Sequence, residues 1–139
     1  MANCFEIARD ELSKVAETCG LRLVNERVKT KVAYTGTYEA HIGDVEIDEH
    51  DTCRDFISFE PTLTIRYNNS PNVQKTKKEI DAMKYALKIA VNKVDKKITQ
   101  ELGLARFGKP MSASDITPEE TGLMFTFSVT AEAFPLKEE

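Results

Sequence analysis

From Asp44 to Asp51 the chain reads Asp-Val-Glu-Ile-Asp-Glu-His-Asp, the densest run of potential oxygen ligands in the sequence. Strand alternation would bring Asp44, Glu46 and Asp48 to one side, where a hard divalent cation takes carboxylates. The run lacks the turn glycine and the bidentate glutamate of a helix–loop–helix calcium loop, and no distant HxH or DxD pair joins it. The expectation is therefore a solvated acidic arm, formed by Asp44, Glu46, Asp48, Glu49 and Asp51, with no metal.

His41, His50 and Cys53 invite a second reading, a thiol nucleophile with an imidazole base. Such a thiol needs an electropositive setting. Cys53 instead sits in sequence among Asp48, Glu49, Asp51 and Asp55, whose charge raises a thiol pKa. No phosphate-binding glycine loop, dinucleotide fingerprint, nucleophile elbow or HExxH motif occurs. No catalytic residue, cofactor-binding residue or cofactor is expected, and the chain reads as non-enzymatic.

A third group is basic. Lys75, Lys77, Lys78, Lys84 and Lys88, followed by Lys93, Lys96 and Lys97, stud one helical stretch. Alone they describe an ordinary solvated face. Their segregation is more informative: residues 44–60 hold seven carboxylates and one arginine, while residues 75–97 hold eight lysines and three carboxylates. Opposite patches on one domain suit head-to-tail contact between copies, which closes into a ring when the rotation permits.

The elements that must position these residues fit one domain over 1–139. Hydrophobic residues at 41% and charged residues at 30% match a globular chain rather than a disordered one. A formal charge of −4 argues against a general nucleic-acid binder. No apolar run reaches the roughly 18 residues of a membrane span, and the start Met1-Ala2-Asn3-Cys4 lacks the pattern of a secretion signal. Three cysteines, an odd count without a CxxC pair, suit a reducing compartment.

Phe5, Ala8, Leu12, Val15 and Cys19 recur at helical steps, predicting a helix over 3–19 stopped by Gly20. Val28, Val32 and Tyr34 suggest a strand ending near Gly36. Residues 36–55 then form either a long hairpin arm, with Val45 and Ile47 pairing, or a loop. The alternation of Ile57, Phe59, Leu63, Ile65 and Tyr67 predicts a strand with an edge, bulge or break at Pro61. A helix capped by Ser70 and opened by Pro71 runs toward Gly103, with a later start or a break near Asn92. Residues 104–122 read as a linker with a helical turn at Thr117-Pro118-Glu119-Glu120. Leu123, Phe125, Phe127, Val129, Ala131 and Ala133 mark the clearest strand. The order α-β-β-α-β, without a βαβ rhythm, predicts an α+β fold: a mostly antiparallel sheet packed against two main helices.

This layout resembles the tail terminator proteins of long-tailed bacteriophages and their relatives at the head–tail joint. The resemblance rests on the leading helix, on Val32-Ala33-Tyr34-Thr35-Gly36 followed by the acidic insertion, on Thr62-Leu63-Thr64-Ile65-Arg66-Tyr67 followed by a helix, and on the closing strand Met124-Phe125-Thr126-Phe127-Ser128-Val129-Thr130. The lysine-rich helix and the 104–122 segment exceed the family's pattern and bring other neck, tail-completion and tail-tube proteins into range. The resemblance implies a homo-oligomeric ring, a hexamer, in the tail or neck of a virion assembled in the host cytoplasm. It would sit between the tail tube protein and the head-completion or connector protein and pass DNA through its lumen without binding it specifically. The acidic arm would line the lumen or meet a neighbour's lysine face, and the sheet edge near Pro61 and the final strand would pair between subunits. From other classes, a small metal-dependent enzyme and a regulatory binding module are the alternatives.

Overall fold

A computed structural model describes residues 3–23, 36–68, 73–119 and 122–135, with the side chains of 68 and 73–75 outside that description. The strand expected around Val28, Val32 and Tyr34, and the helix opening at Ser70-Pro71, fall outside the described residues.

Helix α1 spans Cys4–Thr18. Asn3 caps it by accepting a hydrogen bond from the Glu6 N–H at 2.9 Å, and Gly20 takes a φ of 92° just beyond its end. Strand β1 (Arg22–Leu23) pairs in parallel with β2 (Thr37–Glu49), which turns back as the antiparallel β3 (Asp55–Asn68). Residues 36–55 thus resolve as the hairpin alternative. Helix α2 covers Val73–Asn92 and α3 Lys96–Leu102, so the long helical pattern breaks just after Asn92. Asp95 restarts it, its carboxylate accepting the Lys97 N–H at 2.9 Å. Gly103, at φ 110°, ends α3.

The stretch expected as a linker instead forms strand β4 (Arg106–Ala113), and the expected helical turn is a three-residue strand, β5 (Thr117–Glu119). Both pair with β6 (Gly122–Ala133), β4 along Phe127–Glu132 and β5 along Gly122–Met124. The Glu119 carboxylate accepts from Arg66 Nε at 3.1 Å across the sheet, while Glu120, the residue a capping box would use, lies outside the described residues. In β4 the alternation is hidden by an irregularity between Gly108 and Met111, which leaves only Phe107 and Met111 on the apolar side.

The sheet order is β1-β2-β3-β6-β4, so β3 and β6 are interior. This corrects the expected inter-subunit pairing through Pro61 and the final strand: both already have neighbours on either side. Pro61 is fully buried in the middle of β3. It has no N–H to donate, and the ladder to β6 steps from Phe59–Ala131 to Thr62–Ser128 with no change of register. Pro61 pairs with Ile42, and the bulge lies two residues along, where Asp44 and Val45 of β2 stand opposite Phe59.

Both long helices lie on one face of the sheet and close a single core. Ala8, Leu12 and Val15 of α1, and Ile80, Leu87 and Val91 of α2, pack on Phe59, Leu63, Ile65, Phe125, Phe127 and Val129. Phe5 meets Phe59 edge-on at 4.9 Å between ring centroids. The other face has no helix and is polar: Ser58, Thr62, Thr64, Thr126, Ser128 and Thr130 stand on it in register.

Candidate functional site

The acidic arm is the ordered hairpin β2–β3. It has a regular tip in which His50 and Asp51 donate backbone N–H groups to the Arg54 carbonyl at 3.2 and 3.1 Å. Asp51 accepts the N–H groups of Cys53 and Arg54, both at 2.7 Å. These two donors hold its carboxyl below the usual aspartate range, because they favour the charged form. Arg54 reaches back to the Phe134 carbonyl, and the His50 ring lies 4.7 Å from that of Phe134. The tip is thereby fastened to the end of β6.

The strand register divides the acidic residues. The extra residue at the bulge places Glu46 opposite Ser58 and Asp48 opposite Phe56, on the helix-free face, whereas Glu49 pairs with Asp55. Asp44 adopts φ 48°, and its side chain lines the same hollow as that of Glu60. Burial first, then the neighbouring Asp44 carboxylate, push Glu60 above the usual glutamate range.

Asp44, Glu46 and Glu60, with Val45, Ser58 and Thr130, line a shallow hollow of about 460 Å³. Of the expected arm residues, the structure brings Asp44 and Glu46 together and leaves Asp48, Glu49 and Asp51 toward the tip. Glu60 is the member that sequence reasoning left out. Its alternation with Ser58 gave the face, but its partner depends on the bulge. Among the described residues, no group of three or more His, Cys, Asp or Glu has the geometry to hold a metal ion.

The thiol and imidazoles do not gather. His41 Nε2 bonds Thr64 Oγ1 at 3.0 Å on the open face. At about 3.3 Å per strand residue, His41 stands roughly 30 Å from His50. Cys53 is exposed in the tip, and Cys4 and Cys19 pack at the core margin, where burial raises their thiol pKa values.

The expected basic face belongs to α2. Lys77, Lys78 and Lys88 are exposed, while the Lys84 ammonium lies 5.4 Å from the Phe125 ring centroid, a cation–π contact. Lys84 and Lys88 border a hollow between α2 and β4. The side chain of Lys75 lies outside the described residues. Helix α2 packs at the β4 end of the sheet and β2 stands toward the other. The lysine face and the acidic strand therefore occupy opposite sides of the body.

The chain matches no family model and no curated protein. Its candidate surfaces therefore rest on geometry: a self-paired acidic hairpin at one side, a lysine-bearing helix at the other, and a polar sheet face between them.

Proposed function

We propose that this protein is a structural, ring-forming subunit, a phage tail terminator or a close relative at the head–tail joint, working in the virion after assembly in the host cytoplasm. The observation that carries the reading is the placement of its charge. The carboxylates of β2 and the lysines of α2 lie on opposite sides of one rigid body, so each copy offers two complementary surfaces rather than one self-complementary patch. Such surfaces join head to tail, and a fixed rotation closes them into a ring.

The hairpin supports the same reading. Beyond Tyr38, β2 has no pairing partner on its outer side among the described residues, and that edge carries Glu39, Glu46, Asp48 and Glu49. Charges on an open edge suppress indiscriminate strand pairing while leaving it available to a basic partner. In the assembled ring the arm meets the lysine face of the next copy, and the acidic tips repel DNA phosphates passing through the channel.

The test is native mass over a wide concentration range, with images of the assemblies. A closed ring with a central channel is expected, lost when Asp44, Glu46, Asp48 and Glu49 are neutralised together while the circular dichroism stays unchanged. A monomer at every concentration that also fails to bind purified tail tubes would retire the reading.

A further inference from the structure

A cleft opens where the end of α2, the short helix α3 and the first half of β4 meet, enclosing about 460 Å³. Three cations line it, Lys96 from α3 and Arg106 and Lys109 from β4, together with the amides Asn92 and Gln100. No carboxylate lines it. In a chain of net charge −4 this is a local inversion of sign.

The wall of the cleft is fixed by backbone. Asp95 caps α3, the Leu104 N–H closes it by donating to the Thr99 carbonyl at 2.9 Å, and the Ala105 N–H donates to the Glu132 carbonyl at 2.8 Å. These bonds hold Lys96 and Arg106 in one helix–turn–strand unit. Gly108 lets β4 approach α2: at φ 131°, a Cβ there would lie 3.3 Å from Val91 Cγ1. Arg106 donates through Nη1 to Glu132 Oε1 at 3.2 Å, which leaves most of its guanidinium donors unused. Among the described residues, neither Lys96 nor Lys109 is paired with a carboxylate. Lys96 and Lys109 thus add two positive charges to the cleft that no carboxylate among the described residues offsets, and an anion joining them relieves their repulsion.

We propose that this cleft binds a phosphorylated small molecule of nucleoside-monophosphate size, its phosphate held by Lys96, Arg106 and Lys109. Phosphate is the anion that answers several N–H donors at once, and a guanidinium presents them in the matching planar fork. The volume falls within the range of small-molecule pockets, and a concave site closed by a helix differs from the open groove that tracks a nucleic-acid strand. Asn92 and Gln100 supply donors and acceptors for the remainder of the ligand. The inference is independent of the ring reading, since it uses neither the hairpin nor the lysine face.

The experiment titrates the full chain with inorganic phosphate, adenosine monophosphate and a short single-stranded oligonucleotide, followed by calorimetry and by the amide resonances of Asn92 and Gly108. Saturable one-to-one binding of the nucleotide, tighter than phosphate, is expected. Lys96→Gln and Lys109→Gln should each weaken it roughly tenfold, the scale of one hydrogen bond to a charged group. Lys109→Arg should retain binding, and Lys14→Gln on α1 should leave it unchanged. All these side chains are exposed, so the variants report on binding rather than folding. Absence of saturable binding, or binding indifferent to both lysine variants, would overturn the proposal. An oligonucleotide that displaces the nucleotide and tightens with length would overturn the small-molecule assignment in favour of a strand.

Discussion

The acidic hollow and the cationic cleft are similar in volume and opposite in sign, and a single sheet separates them. Thr130 lines the hollow, and its partner across the ladder, Gly108, lines the cleft. The two differ in how like charges are reconciled. In the hollow, a strand bulge sets Asp44 beside Glu60, and burial and the neighbouring carboxylate raise the Glu60 pKa, so that proton uptake relieves the conflict as pH falls. A lysine or arginine gains no relief from proton uptake, because its proton is already bound. Arg106 has Glu132, but Lys96 and Lys109, paired with no carboxylate among the described residues, call for a counter-charge from outside. Like charges at close range mark a ligand site chiefly where no internal device relieves them.

The sharpest way to break the comparison is Gly108→Ala. A methyl group at φ 131° against Val91 strains the backbone, and a cost of about 1–3 kcal/mol is expected, read as a lower melting temperature. The cleft should narrow and lose its ligand, while the carboxyl titration of Glu60, followed by NMR, should not move. A shift of Glu60 as large as that seen on unfolding would mean that the strand between the two sites transmits the strain.

Asp95→Ala comes next. Loss of the cap on α3 should cost about 1 kcal/mol and raise amide exchange across Lys96–Thr99. The ladder between β2 and β3 should keep its protection. Equal deprotection of both would show that α3 belongs to the same cooperative unit as the hairpin.

These variants also expose what the sequence could and could not disclose. The α+β class, the leading helix with its Gly20 stop, the break after Asn92 and the β6 alternation were legible, because each depends on contacts a few residues apart or on a simple period. The β4 strand was not. Its apolar signal is reduced to Phe107 and Met111 by the Gly108 irregularity, and its stability comes from pairing with β6, about twenty residues on. The sites divide in the same way. The acidic arm was visible as a run, but the placement of Asp44 beside Glu60 depends on a bulge. Lys96 stands ten residues from Arg106 and thirteen from Lys109, which lie on an unforeseen strand, so no local pattern joins it to them.

The smallest effect is the most discriminating, because the two ends of the acidic hairpin should answer acid in opposite senses. Glu60 has its folded pKa raised, so its contribution to stability is present when pH lies below the unfolded glutamate value and is lost as pH rises through the folded one. Asp51 has its folded pKa lowered by the Cys53 and Arg54 N–H groups, so its contribution is present above the unfolded aspartate value and is lost as pH falls through the folded one. Acidification should therefore tighten the bulge and loosen the tip. Amide exchange at Cys53 and Arg54 should accelerate where exchange around Gly43 slows. Glu60→Gln should raise neutral-pH stability slightly, by less than about 0.5 kcal/mol as expected of a surface change, and abolish the response at the bulge alone. Should both ends loosen together in acid, protonation of Glu60 would not be relieving the hollow. The contrast with the cleft would then fail at its root.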